Sequence, residues 1–339
     1  MRLLLRADAG VGIGAGHVSR CVAFAEEAVA RGWAVDFSGR LAAAGWFAGR
    51  LDQLGAAVHP AVDDAGSLAR LAGSCGARLV LVDHYGLPGD LRTAVRHTGA
   101  LLVSMEDGGF GRRAADVVVD CGLDTTARPD DGSPTILIGP RYAPLRAAVR
   151  AARETRAERR RPAPDAAPEV VVVLGGTAAA AGGALRAVLV ALRDTGRPMR
   201  LRAISAAPVG CPSWRPGQRV SVEPPGQDLP GLLTTADLAV SAAGVTLLEL
   251  CCVGVPMALV RVADNQAVGY QAAVDRGIAA GLGAAADLVD DHTAATALLA
   301  GLLADDARRA SPAAAAAGLV DGLGAARVLD VAAALPPAG

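Results

Sequence analysis

The pattern that most restricts what this chain can fold into is an alternation, made twice, of short apolar runs with stretches of helical spacing. In the first half the runs read MRLLLR, AVDFSG, RLVLVD, LLVSM and VVVD, each bounded by turn formers. Alternation of this kind is the sequence form of βαβ units, and such units build parallel sheets. It stops over residues 151–168, where AARETRAERRRPAPDAAP is first charged and then rich in proline. It resumes as EVVVVLGGT, MRLRAIS, RVSVEPP, LAVSAAG and MALVRV. The reading is therefore an α/β protein of two Rossmann-like domains, residues 1–150 and 169–339, joined by a linker at 151–168. The alanine-rich tail from about 293 to 335 reads as helices that pack back on either half. Parallel sheets bind ligands beyond the carboxyl ends of their strands, so two such halves facing one another would line a cleft with their glycine loops.

Composition narrows the chemistry. The 339 residues are 52% hydrophobic and 20% charged, with a net charge of -1, which fits a globular protein with no basic stripe for nucleic acid. The chain contains no lysine, so Schiff-base chemistry and a lysine-bearing P-loop are excluded. Its cysteines, at 21, 75, 121, 211, 251 and 252, show neither CxxC nor Cys/His spacing, and the expectation is buried, reduced thiols in a cytoplasmic protein with no metal site. The apolar run at residues 1–5 is too short for a secretory signal and serves better as a first strand. The segment VVVVLGGTAAAAGGALRAVLVAL is interrupted by paired glycines and Arg186, so a strand, a turn and a core-facing helix explain it better than membrane insertion.

Four places carry chemistry. After the first strand, GIGAGH ends in His17 at the start of a helical stretch. The glycines resemble a dinucleotide fingerprint, but no acidic residue follows the second strand in the expected place, since AVDFSGR runs on into Ser and Arg. A histidine at a helix amino terminus is kept neutral by the dipole, as a general base requires, or is merely a helix-start residue held by local backbone. The run LVLVDHYG sets Asp83, His84 and Tyr85 at the carboxyl end of a buried strand, either as part of a site or as a turn cap with a packed ring. In SAAGVTLLEL a loop of small residues opens a helix and offers backbone N–H groups to a diphosphate, with Glu249 one turn in, placed for a ribose diol or else facing solvent. Finally ADNQ puts Asn265 and Gln266 at another strand end, where amides can read sugar hydroxyls.

Taken in order, RADAGVGIGAGHVSRC, LVDHYGL, GPRYAPLR, VLGGT, SAAGVTLLELCCVGVP and ADNQ resemble the UDP-sugar hydrolases of pseudaminic acid biosynthesis, over nearly the whole chain. The resemblance implies the GT-B architecture, shared with the lipid II GlcNAc transferase, and hydrolysis of a UDP-activated diacetamido sugar by water, with inversion and without a cofactor or metal. It implies His17 as the base, with Tyr85, Asn265 and Asp8 near the reacting sugar. Gly14, Gly16, Asp83, His84, Gly175, Gly176, Thr177, Ser241, Gly244, Val245, Thr246 and Gln266 are assigned to the substrate and its nucleotide, and Glu249 to the ribose. The chain departs from the family where an acidic residue usually follows GGT, here Ala178, after GPRYAPLR, and in SMEDGGF. The same parts also suit a GT-B glycosyltransferase, in which His17 deprotonates an acceptor hydroxyl instead of water.

Overall fold

The structure is a computed structural model. It describes all residues except 11–12, 43, 160–165, 176–177, 227 and 339, and also omits the side chains of 178–181. The chain divides into two compact units, Met1–Ala147 with Gly322–Gly339, and Ala148–Asp321.

In the first unit the strands are β1 (Arg2–Ala7), β2 (Ala34–Ser38), β3 (Ala57–His59), β4 (Leu79–Asp83), β5 (Leu101–Glu106), β6 (Val117–Asp120) and β7 (Thr135–Ile138). They lie in the order β3-β2-β1-β4-β5-β6-β7, every pairing parallel. The central strands are almost wholly buried, as expected of parallel strands covered on both faces. One core packs Leu4, Val80, Val82, Leu102 and Val118 against Leu68, Leu91 and Val95 of the covering helices.

The second unit has β8 (Glu169–Val173), β9 (Met199–Ile204), β10 (Gln218–Glu223), β11 (Leu238–Ala242), β12 (Met257–Arg261) and β13 (Ala280–Ala284). Their order is β10-β9-β8-β11-β12-β13, again all parallel. Both sheets therefore follow the doubly wound dinucleotide-binding order, which reverses beside the first strand of the unit. The reversal falls between β1 and β4 in one unit and between β8 and β11 in the other. The apolar segment near 170–192 is β8 followed by the helix Ala178–Asp194, and among the described residues no helix is long and apolar enough to cross a membrane.

Two boundaries differ from the sequence reading. The expected linker at 151–168 opens inside a helix, Ala147–Ala157, because its arginines find carbonyl partners within the second unit. Arg153 donates to the carbonyls of Cys252, Ala317 and Val320. Arg156 donates to those of Leu233, Thr234, Ala236 and Gly254, and burial lowers it to about 10. The tail is also shared out differently: helix Gly324–Ala334 belongs to the first unit, not to 169–339. Gly324 lies so close to the carbonyl of Ala143 that a β-carbon would overlap it. Arg31 donates to the Ala326 carbonyl and Arg78 to that of Leu335. Four of the cysteines are buried as expected, whereas Cys75 is half-buried and Cys211 exposed.

Candidate active site at the strand ends

The register of β1 and β4 sets Ala7 opposite Asp83, so the residues that follow, Asp8 and His84, emerge level at the reversal point. Beyond β1 the Gly14 amide donates to the Gly10 carbonyl at 2.9 Å. Gly14 takes a left-handed φ of 75°, which glycine tolerates without strain. The helix Gly16–Ala30 then begins, with His17 in its first turn and only 6% exposed.

His17 Nδ1 lies 2.6 Å from Oδ1 of Asp83, a residue 1% exposed. Burial raises the Asp83 carboxyl, but the Arg20 guanidinium and His17 outweigh it and hold the group well below the usual carboxylate range. An ionised carboxylate only accepts, so Nδ1 carries the ring proton and Nε2 presents its lone pair. A buried carboxylate that fixes the tautomer in this way leaves the opposite nitrogen as a base.

Arg20 sits three residues along the same helix, on the face of His17. Its Nε and Nη2 donate to Asp83 at 2.7 Å each. Its Nη1 and Nη2 donate to Asp107, just beyond β5, at 2.6 and 2.9 Å. Arg20 Nη2 is also 3.1 Å from His17 Nδ1. With Nδ1 protonated, two donors meet there, and the contact is one of neighbouring charge rather than a hydrogen bond. The Tyr85 hydroxyl donates to Asp107 at 2.5 Å. The Tyr85 ring meets the imidazole edge-on, centroids 4.6 Å apart at 88°. Sequence reasoning missed Arg20 and Asp107. The available signals were the three-residue spacing from His17 and the place of Asp107 at the end of a buried run.

Asp8 and His84 form a second pair, Nε2 to Oδ2, at 3.3 Å. Asp8 accepts from Arg6 at 2.6 and 3.0 Å and from the Arg40 amide at 2.8 Å. Burial opposes ionisation of Asp8, yet the Arg6 and Arg40 hydrogen bonds lower it to about 2. Held as an anion among these donors, Asp8 ties Arg6 and the Arg40 main chain together at the strand ends. His84 Nδ1 accepts from the Gly86 amide at 3.1 Å. Its pKa is lowered, by burial first and the Arg6 charge next, so it stays neutral with both ring nitrogens engaged.

In the second unit Gly175 follows β8 with a φ of 57°, while Gly176 and Thr177 lie outside the described residues. Ser241 pairs with Val173 in register and is fully buried. Its hydroxyl reaches the carbonyls of Val173 and Ala242, at 3.0 and 3.1 Å. That donor is thus engaged inside the sheet. Gly244 precedes the helix Val245–Val253, and Val245 and Thr246 are its partly exposed first residues. A β-carbon on Gly244 would touch the Gln266 amide nitrogen at 3.8 Å, so loop and amide are neighbours. Gln266 Oε1 accepts from the Val262 amide, which turns its NH2 group outward from that bond. Asn265 is exposed on the short 3-10 turn Asp264–Gln266. Glu249 is only 4% exposed on the helix that Gly244 opens. Among the described residues no group of three or more His, Cys, Asp or Glu side chains is placed to hold a metal ion.

No family model and no curated protein matches this chain. Solved structures do resemble it. MurG from Acinetobacter baumannii superposes with a TM-score of 0.68 at 17% identity, covering 98% of this chain and 99% of that one. The glycotransferase of kitacinnamycin gives 0.66 at 16% identity, covering 97% of each chain. Glycosyltransferase VinC, in complex with dTDP, gives 0.64 at 15% identity, covering 98% of this chain and 100% of that one. Together with the two parallel sheets, this likeness establishes the GT-B fold, built of two Rossmann-like units.

Proposed function

We propose that this chain is a nucleotide-sugar-dependent glycosyltransferase in which His17 is the general base. The observation that carries the reading is the 2.6 Å contact of His17 Nδ1 with the buried Asp83, which leaves Nε2 as proton acceptor at the reversal point of a doubly wound sheet. An acceptor hydroxyl gives its proton to Nε2 as its oxygen forms the new bond to the anomeric carbon. The bond from that carbon to the diphosphate breaks with inversion, and the nucleoside diphosphate leaves with the electron pair. Asp83 stabilises the imidazolium that results.

The second unit supplies the nucleotide's share: the amide groups and positive dipole end at Gly244, Val245 and Thr246 for the diphosphate, Gln266 and Asn265 for hydroxyls, and Glu249 for the ribose. Gly175, Gly176 and Thr177 complete the diphosphate loop in this reading. The fold likeness to glycosyltransferases supports transfer over hydrolysis. A second reading, hydrolysis of a UDP-activated diacetamido sugar, draws on DHYG and on the Tyr85 ring standing edge-on to His17. Incubation of UDP- and dTDP-sugars in 18O-water, with and without alcohol acceptors, separates the two. Transfer predicts nucleotide release that depends on acceptor and a glycoside free of label at its new bond. Acceptor-independent release with label in the free sugar overturns transfer in favour of hydrolysis.

A further inference from the structure

The reaction needs His17 to gain a proton, yet the structure sets a guanidinium nitrogen 3.1 Å from its Nδ1. Arg20 and Asp83 alone form a neutral pair, and a neutral pair offers an imidazolium little. The second carboxylate on Arg20 changes this count. Asp107 takes two hydrogen bonds from Arg20, at 2.6 and 2.9 Å, on the side away from Asp83. With Asp107 the cluster beside the ring is two anions and one cation, a net single negative charge. The same Asp107 oxygen that faces Arg20 Nη2 accepts from Tyr85, whose ring borders the imidazole.

We propose that Asp107 is a positioning residue: by neutralising Arg20 it frees the Asp83 charge to stabilise the imidazolium of His17, and by accepting from Tyr85 it holds that ring at the imidazole edge. The inference rests on His17 as the base and deepens that reading. Burial raises Asp107, but the Arg20 charge outweighs it and keeps the carboxyl ionised. Other groups around the ring do not supply this compensation. From β1, Arg6 and Asp8 neutralise each other. His84 after β4 is neutral, and Cys21 on the His17 helix and Cys121 after β6 are pushed up by burial and stay protonated. Arg113 donates to the His84 carbonyl and to Ser104 at 3.1 Å, and the Glu106 carboxylate at the end of β5 is shared between its charge and that of Arg128, so this group too is occupied with its own partners.

The test is an NMR titration of the His17 imidazole in the full chain without substrate, with the kcat/KM profile beside it. Removing an anion disfavours the cation, so Asp107→Asn is expected to lower the pH at which His17 protonates by about one unit, and the acid limb of kcat/KM with it. Arg20→Gln removes the cation and is expected to move both upward. The double variant Arg20→Gln/Asp107→Asn restores one net negative charge, that of Asp83 beside the ring, and is expected to titrate near the parent. Tyr85→Phe leaves the charge count alone and should leave the titration in place. If folded Asp107→Asn and Arg20→Gln both titrate like the parent, or the double variant does not return, the proposal is overturned. Because the titration needs no turnover, it is decided separately from the base reading, which falls instead if His17→Ala remains active.

Discussion

The two reversal points share a strand order but not a chemistry. Beside β1 and β4 the strand ends carry Arg6, Asp8, His17, Arg20, Asp83, His84 and Asp107, nearly all paired through buried ionic hydrogen bonds. Beside β8 and β11 stand Gly175, Ser241 and Gly244, and the one hydroxyl among them is bonded to main chain. The charged end is held rigid by side chains, and the small-residue end offers backbone. One topology thus provides a place to put chemistry without dictating which chemistry goes there. In the transfer proposed above, proton handling falls to the first unit and nucleotide holding to the second.

That division can be broken by substitution. His17→Ala should cut kcat by about 10³-fold while nucleotide affinity in calorimetry stays close to the parent, since general-base assistance is worth 10²–10⁴. Asp83→Asn should follow within about tenfold, because an amide no longer specifies the tautomer or balances the imidazolium. Equal losses of affinity in these variants would mean the first unit also holds nucleotide. Gly244→Asp sets a carboxylate at the helix start and should raise KM by about 10- to 100-fold, with the pH profile unmoved. A shift of its acid limb would erase the distinction between the units.

A smaller effect concerns acid stability. Asp8 and Asp83 have folded pKa values depressed below their unfolded ones, so the stability they contribute is present above about pH 4. It is lost as pH falls through the folded values, at about 2 for Asp8. Hydrogen exchange between about pH 4 and pH 2 should therefore open the β1–β4 strand ends before β8–β11, and the reverse order would refute the contrast. Smallest of all, Gln266→Ala should raise KM by about three- to tenfold through one lost hydrogen bond, with kcat nearly constant.

How much of this could be read in the sequence follows from range of interaction. The runs that became β1, β2, β4, β5, β6, β8, β11 and β12 are legible because burial on both faces makes them mostly hydrophobic, and those that became β9 and β10, MRLRAI and QRVSVE, because apolar and polar residues alternate along them. The other strands are not. β3 is AVH, three largely exposed residues, and β13 is AGLGA, whose glycines disfavour strand; each exists only as the edge partner of a neighbour. His17, Asp83 and Tyr85 are legible because they close buried runs or glycine loops. Arg20 and Asp107 stand 87 residues apart and join only when β4 and β5 lie side by side. In a chain whose every cation beyond its histidines and amino terminus is arginine, a single arginine on a helix reads as a solvated face. Ser241 shows the same limit from the other side: its place in a small-residue loop is legible, whereas the strand register that buries its hydroxyl is not.

The helix Gly324–Ala334 packs on the unit that opens the chain, which makes the second unit an insertion within the first. During vectorial synthesis the strands β1 to β7 emerge long before the segment that caps Arg31, Arg78 and Ala143. The inserted unit, contiguous from Ala148 to Asp321, has all its own contacts available first. The unit that holds His17 is thus completed last, and an interrupted translation product ending before Gly324 would carry the whole inserted unit attached to an unsealed partner.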